Sequence, residues 1–165
     1  MINKNLKTIK LILMTVFLIS LASCDISSKY EKREKEKIQD YLDNNRNLNF
    51  SLKPSGLYYL EVEAGTGLSP IIGDSVFVTY TGLFLSGNIF DSNAYGTDTY
   101  DYIVGNNRNV EGFNEGISYM KEGGKALILI PSSLGWGAIG SYPYIEGYTP
   151  VLYQLELVHV KRPVK

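Results

Sequence analysis

The distribution of glycine and proline constrains the fold of this chain more than any other feature of its sequence. All 16 glycines and all six prolines lie beyond residue 51. Both residue types mark turns and interrupt long regular elements. We therefore divide the chain into a leader, residues 1–23, a charged segment, residues 24–49, and one turn-rich and strand-rich domain, residues 50–165.

Composition excludes several classes of function. The 165 residues are 44% apolar and 20% charged, which is typical of about one globular domain. Beyond residue 23 the chain carries 13 basic and 17 acidic residues, so we expect no nucleic-acid partner. A single cysteine and a single histidine leave too few ligands for a zinc site or a disulfide framework, and we predict neither metal nor cofactor.

The leader has the layout of a secretory signal peptide. Three lysines precede an apolar run from Leu11 to Ile19, which is too short to span a bilayer comfortably. The run is followed by Leu21-Ala22-Ser23-Cys24, which resembles a bacterial lipobox. That resemblance implies cleavage before Cys24, transfer of a diacylglyceryl group to its thiol, and acylation of the new amino terminus with a fatty acid such as palmitate. The product would be a lipoprotein held outside the cytoplasm at the cell envelope. The outer membrane is favoured, the inner membrane stays open, and the alternative is an ordinary signal with an incidental cysteine.

The charged segment predicts a helical spacer. Residues 27–49 alternate in charge and contain neither glycine nor proline. A helix would place Ile38, Tyr41 and Leu42 on one side. Charge runs of this kind are usually solvated, so we expect a helix that stands between the lipid and the domain without packing on it.

The domain contains five apolar segments with the alternation of β-strands. They are Leu57 to Glu63, Ser75 to Leu85, Tyr100 to Val104, Lys125 to Ile130 and Val151 to Val160. In the second segment Val76, Val78 and Tyr80 share one face, so the tyrosine points where the valines point.

One helix is predicted within the domain. Val110, Phe113, Ile117 and Met120 recur at helical spacing, Asn109 precedes them as N-cap, and two glycines at 123 and 124 follow. Together with the strands, this predicts an α+β fold in which an antiparallel, twisted sheet of about five strands wraps around one short helix.

A connection of about 20 residues, 131–150, stands out among the short turns. Loops of this length in compact domains are usually functional or disordered. Its content of Trp136, Tyr142, Tyr144 and Ile145 argues against disorder. We refer to residues 131–150 as the rim loop and predict a functional role for it.

A search for catalytic motifs leaves a set of aromatic residues and one acid. Gly65-Thr66-Gly67 lacks the third glycine and helix of a dinucleotide site, and His159 has no second ligand to share a metal. The segments Val78–Gly82 and Gly87–Ser92, the latter with Phe90-Asp91-Ser92, resemble the FKBP-type peptidyl-prolyl cis-trans isomerases. Further signatures follow in the same order, at residues 110–116, 123–125, 135–137 and 155–157.

This resemblance implies an isomerase, or rotamase, that acts in protein folding on Xaa-Pro segments of exported proteins. Rotation about the planar amide faces a barrier of about 18–20 kcal/mol, and no bond has to break. A catalyst can therefore hold the proline ring in an apolar cleft and stabilise the twisted amide electrostatically, without a cofactor.

The resemblance also assigns roles to individual residues. Phe113 would form the pocket floor, the Val110 N–H would bind a carbonyl, and Asp91, partnered by the Tyr80 hydroxyl, would lie near the twisted amide. The implied catalytic residues are Tyr80, Asp91 and Phe113, and the implied substrate-binding residues are Phe90, Tyr100, Val110, Trp136, Tyr144, Ile145 and Tyr153.

Departures from the family pattern keep other functions open. Gly96 stands where several relatives have arginine, and Ile145 is followed by Glu146-Gly147 in place of a proline pair. The affinity of the pocket for a macrolide ligand depends on this rim. The alternative is a non-catalytic binding or scaffold module of a membrane secretion or gliding-motility apparatus, and a third class is a glycan-binding surface protein.

Overall fold

A computed structural model of the chain describes residues 27–96, 98–106 and 108–163. Helix α1 covers residues 27–44 of this part. The remaining elements are strands β1 (Ser51–Leu52), β2 (Tyr58–Glu63), β3 (Ser75–Phe84), β4 (Ile89–Ser92) and β5 (Tyr100–Ile103), helix α2 (Glu111–Ser118), strand β6 (Lys125–Ile130), a short 3-10 turn (Ser132–Leu134) and strand β7 (Val151–Lys161).

The strands form one antiparallel sheet in the order β1-β2-β6-β7-β3-β4, with β5 paired to the first half of β3. The last described strand, β7, lies inside the sheet, where it pairs along its length with β3 and over residues 151–156 with β6. All pairings are antiparallel. The predicted α+β fold is confirmed, with two short strands, β1 and β4, added to the five expected ones.

Helix α2 packs closely on one face of the sheet because it carries two glycines on the contact side. A Cβ atom at Gly112 would lie 2.5 Å from Cγ2 of Ile130, and one at Gly116 would lie 2.8 Å from Cδ1 of Ile128. The main core lies between these elements. Its fully buried members include Leu57, Val76, Val78, Ile117, Ile128, Ile130, Val151 and Leu157.

Helix α1 packs on the opposite face of the sheet, which contradicts the expected solvated stand-off. Ile38 is only 5% exposed and clusters with Leu127, Leu129 and Leu152. Because side chains alternate along a strand, the residues of β6 that do not face α2 face α1. The apolar residues that we assigned to one side of the spacer therefore cover the second face of β6.

The predicted N-cap of α2 is also wrong. Val110 is the N-cap, with extended backbone angles and no side-chain cap, and the helix ends at Ser118, before Met120. The Asn109 side chain instead accepts a hydrogen bond from the Tyr100 hydroxyl at 2.9 Å. Asn109, a residue type that often caps helices, thus links β5 to the start of α2 through this hydrogen bond.

No helix in the part of the chain that the structure describes is long and apolar enough to cross a membrane. The predicted signal peptide and Cys24 lie outside the described residues.

A buried acid fixes the turn that leads into β3 to the C-terminal end of β7. Asp74 is 1% exposed and accepts hydrogen bonds from Nε of Arg162 at 3.2 Å and from the second guanidinium nitrogen at 3.1 Å. The Arg162 guanidinium lowers the pKa of the Asp74 carboxyl, and the Ile71 N–H acts in the same direction. A lowered folded-state pKa stabilises the fold above the ordinary value of 3.8, and this stability is lost as the pH falls through the folded-state pKa.

We therefore expect Asp74→Asn to lower the free energy of unfolding at pH 7, with a smaller loss as the pH falls below 3.8. Urea unfolding at a series of pH values measures this difference. Asp101→Asn, at an exposed acid on β5, is the control and should leave stability nearly unchanged at every pH. An equal loss at pH 7 and pH 3 would contradict the assignment.

Candidate functional site

An aromatic cavity of about 250 Å³ opens where β3, β4, β5, β7, the rim loop and the start of α2 meet. Its lining residues are Tyr80, Asp91, Tyr100, Arg108, Asn109, Val110, Phe113, Trp136 and Tyr153. Seven of these are residues that the sequence analysis assigned to the site. The fold thus brings together residues that are up to 73 positions apart in the chain.

Phe113 forms the floor of the cavity. It projects from the first turns of α2 and is only 4% exposed. The ring of Tyr153 meets it edge-on at 5.2 Å between centroids, and the ring of Tyr80 meets it edge-on at 5.9 Å. Edge-to-face pairs at these distances are favourable aromatic contacts, so the floor is closely packed and apolar.

The polar centre of the cavity is a pair formed by β3 and β4. The Tyr80 hydroxyl donates a hydrogen bond to Oδ2 of Asp91 at 2.8 Å. Burial raises the pKa of Tyr80, and the hydrogen bond to Asp91 raises it further. The phenol therefore stays protonated at neutral pH and remains a donor to the carboxylate.

Gly82 leaves space for an aromatic ring beside the pair of Tyr80 and Asp91. Gly82 shares the strand face of Tyr80, two residues further along β3. A Cβ atom at Gly82 would lie 2.6 Å from Cζ of Phe90 and 3.0 Å from Cε1 of Tyr153. The ring of Phe90 occupies this space and does not itself line the cavity.

Trp136 forms the wall contributed by the rim loop. Its ring meets Phe90 edge-on at 5.8 Å, and Phe90 meets Tyr153 edge-on at 5.7 Å. Phe90 thus supports two lining residues from behind. The wall is continuous from the rim loop to β7.

The start of α2 closes the cavity on the side of β5. Val110 lines the cavity as N-cap, and the first N–H groups of a helix have no acceptor within the helix. Asn109 also lines the cavity, where it holds the Tyr100 hydroxyl. Sequence reasoning missed this role because the same residue type fits a capping position, and no signal in the pattern distinguishes the two uses.

Besides Phe90, which supports the cavity wall from behind, two residues that the resemblance assigned to substrate binding lie outside the cavity. Ile145 is 5% exposed, and its backbone forms a bridge with Ser141 within the rim loop. Tyr144 is 76% exposed and lines a separate groove with Phe84 and Pro150. Neither lines the aromatic cavity, and their roles in binding stay predictions.

The cavity combines an apolar floor with a small number of polar groups. Burial raises the pKa of Tyr153 and of Tyr80, so these two tyrosines are neutral at physiological pH. No cluster of three or more potential metal ligands occurs among the described residues. His159 lies away from the cavity and contacts Glu122 at 2.9 Å. The arrangement can hold an apolar ring beneath a hydrogen-bonded carboxylate.

The amino-acid sequence of this chain is similar to those of known proteins. A sequence model of the FKBP-type peptidyl-prolyl cis-trans isomerase family matches residues 68–158. An FK506-binding protein from Neisseria meningitidis is 32% identical over 105 residues, which are 64% of this chain and 96% of that protein. FK506-binding protein 4 from Dictyostelium discoideum is 34% identical over 105 residues, and the chain spans only 28% of its length.

Solved structures show the same fold. The crystal structure of FkpA from Escherichia coli superposes with a TM-score of 0.70 at 28% identity, over 83% of this chain and 62% of that one. A peptidyl-prolyl cis-trans isomerase from Pseudomonas syringae superposes with a TM-score of 0.70 at 24% identity, over 82% of this chain and 96% of that one.

Proposed function

The chain belongs to the family of FKBP-type peptidyl-prolyl cis-trans isomerases, and from this premise we propose that it catalyses rotation about Xaa-Pro bonds in exported proteins at the cell envelope. The main support for this proposal is the hydrogen-bonded pair of Tyr80 and Asp91 above the Phe113 floor. This pair lies within the segment that matches the family.

The apolar floor accounts for the first part of the chemistry. A proline ring seated on Phe113 leaves water, and its peptide bond enters a site of low polarity. The planar amide is more dipolar than the twisted one, because resonance separates charge across it. A desolvated aromatic cavity therefore favours the twisted form, and differential stabilisation of about 7 kcal/mol corresponds to a 10⁵-fold acceleration.

The polar groups account for the second part. We assign the Val110 N–H, at the start of α2, to a carbonyl of the bound peptide. Asp91 lies at the open side of the cavity, where its carboxylate faces the carbonyl carbon of the twisted bond. The Tyr80 hydroxyl fixes the orientation of this carboxylate through the 2.8 Å hydrogen bond. Rotation needs no proton transfer, so these groups act by position and charge alone.

Family relatives named for binding FK506 suggest a ligand for the same cavity. We propose that a macrolide competes with the proline peptide for the Phe113 floor. Trp136 and Tyr153 would contact such a ligand, since both line the cavity. The affinity depends on the rim loop, whose sequence departs from the family pattern at Glu146 and Gly147.

A second candidate function is a non-catalytic module that captures a segment of a secretion or gliding-motility apparatus. The exposed apolar residues of the rim loop favour it. Ile139, Tyr142 and Tyr144 are between 76% and 96% exposed, although all three are large and apolar or aromatic. These three residues lie within six positions of one loop, and a contiguous exposed apolar patch marks an interaction surface. Such a patch would bind a partner without any need for turnover.

The Asp91 carboxylate distinguishes the two functions. We expect Asp91→Ala to lower kcat/KM on an Ala-Leu-Pro-Phe peptide about 10- to 100-fold, because the variant loses an oriented charge at the twisted bond. A protease-coupled isomerisation assay measures the rate. Asp101→Ala is the matched control, since it removes an exposed acid from the neighbouring strand β5.

Equal activity of the Asp91→Ala and Asp101→Ala variants would contradict the role of Asp91. No acceleration by the folded wild-type chain would favour the binding module. In that case the Phe113→Ala variant should weaken capture of the partner segment.

We further propose that the protein is a lipoprotein, anchored through Cys24 in the outer or the inner membrane. The support is the order of lysines, apolar run and Leu-Ala-Ser-Cys in the leader. More than one acyl chain is needed for stable anchoring. Such an anchor would tether the domain through the end of α1 that carries Ser27, and Ser27 contacts the rim loop at Tyr148.

Mass spectrometry of the mature chain from a bacterial membrane fraction tests the anchor. We expect an N-terminus at Cys24 that carries the mass of a diacylglyceryl group and an amide-linked acyl chain. The Cys24→Ser variant should lack both masses. An unmodified cysteine, or a mature chain that begins at another residue, would contradict the proposal.

A further inference from the structure

Helix α1 makes a buried polar contact with the rim loop. The Glu34 carboxylate is only 7% exposed, and its Oε1 accepts a hydrogen bond from the Ser132 N–H at 2.5 Å. Its Oε2 accepts a second hydrogen bond from the Ser132 hydroxyl at 2.6 Å. Ser132 is also buried, at 4% exposure. Both oxygens of an acid on the charged spacer are therefore engaged by one residue of the domain.

Ser132 connects Glu34 to the part of the rim loop that carries Trp136. Its carbonyl oxygen accepts hydrogen bonds from the Gly135 N–H at 2.9 Å and from the Gly137 N–H at 2.7 Å. These two glycines flank Trp136, whose side chain lines the aromatic cavity. A continuous series of direct contacts thus runs from Glu34 through Ser132 to the backbone on both sides of Trp136.

The same helix also holds the far end of the rim loop. Tyr148 stacks on Tyr30 with 5.3 Å between ring centroids, and its hydroxyl lies 2.9 Å from the Ser27 hydroxyl. The Tyr148 N–H donates to the Gly137 carbonyl at 2.9 Å. Both ends of the rim loop therefore contact α1. The two ends also contact each other through the hydrogen bond at Gly137, which is adjacent to Trp136 in the chain.

The glycines of the rim loop raise the entropic cost of holding it in one conformation. It contains glycines at 135, 137, 140 and 147, and each of these adds conformational freedom that ordering must overcome. Helix α1 can provide the constraint because Ile38 packs on the rigid sheet, one turn away from Glu34 on the same helix face. A carboxylate held by two short hydrogen bonds is a strong and directional contact.

We propose that Glu34 is a positioning residue for the isomerase: through Ser132 it holds Trp136 against the substrate cavity, so the spacer helix is part of the catalytic apparatus. This inference rests on the proposed function, because it concerns the same cavity. Glu34 itself does not line the cavity and does not touch the substrate. Its effect reaches the reaction only through the rim loop.

The test uses the full chain in mild detergent, with Glu34→Ala, Glu34→Gln, Ser132→Ala and the control Glu36→Ala. Glu36 is exposed on the same helix. The measurements are kcat and KM for the tetrapeptide, the thermal midpoint, and the fluorescence emission of Trp136. The chain contains a single tryptophan, so the emission reports on the cavity wall alone.

We expect Glu34→Ala to raise KM about tenfold while kcat changes less than about twofold, because the wall that contacts bound substrate is displaced. Trp136 emission should shift to longer wavelength as the ring becomes more hydrated. Glu34→Gln should stay within about threefold of wild type, since its amide can still accept from the Ser132 N–H and donate to the Ser132 hydroxyl. Glu36→Ala should match wild type.

Ser132→Ala keeps the test decisive if Glu34→Ala does not fold, because it removes one of the two hydrogen bonds and leaves the backbone contact. We expect an intermediate rise in KM and an intermediate emission shift. Unchanged KM and unchanged Trp136 emission in a folded Glu34→Ala or Ser132→Ala variant would overturn the proposal. An inactive wild type would refute the proposed function instead, and the emission shift would still decide whether Glu34 positions Trp136.

Discussion

The close approach of helix α2 to strand β6 is the constraint on which the rest of the site depends. Gly112 and Gly116 permit it, because any side chain at either position would overlap Ile130 or Ile128. At this distance Phe113 reaches the floor of the cavity and Val110 reaches its edge. Three strands supply the other residues: β3 carries Tyr80, β4 carries Asp91 and β7 carries Tyr153. The cavity is therefore complete only when β3 is paired with both β4 and β7.

The resulting site suits a reaction in which no bond is broken. Tyr80 stays neutral because burial and the neighbouring carboxylate both raise its pKa. In the proposed reaction Phe113 would exclude water from the amide, and Asp91 would provide one oriented charge. Catalysis would then rest on the difference in polarity between the planar and the twisted bond. Helix α1 packs on the opposite face of the sheet, and its Glu34 accepts two hydrogen bonds from Ser132 in the loop that carries the remaining wall.

The sequence predicted the parts of this protein that follow from alternation and motif order. The bounds of β6 were predicted to the residue, and the contact between Tyr80 and Asp91 followed from the family resemblance. Docking of α1 was not predicted, because a run dominated by charge conceals both the buried contact of Glu34 and the cluster around Ile38. Such contacts depend on tertiary pairing across 98 residues, for which no local pattern exists.

Acceleration of rotation about an Xaa-Pro bond is the activity that all the proposed roles of the aromatic cavity serve. Two-dimensional exchange NMR of an Ala-Leu-Pro-Phe peptide, with the wild-type chain at about one-hundredth of the peptide concentration, tests it most directly, because uncatalysed exchange takes tens of seconds or longer. We expect exchange cross-peaks between the cis and trans signals, with the ratio of the cis and trans populations unchanged. Absence of these cross-peaks with folded protein would contradict this activity, as would a shift in the ratio that grows with protein concentration and reports binding alone.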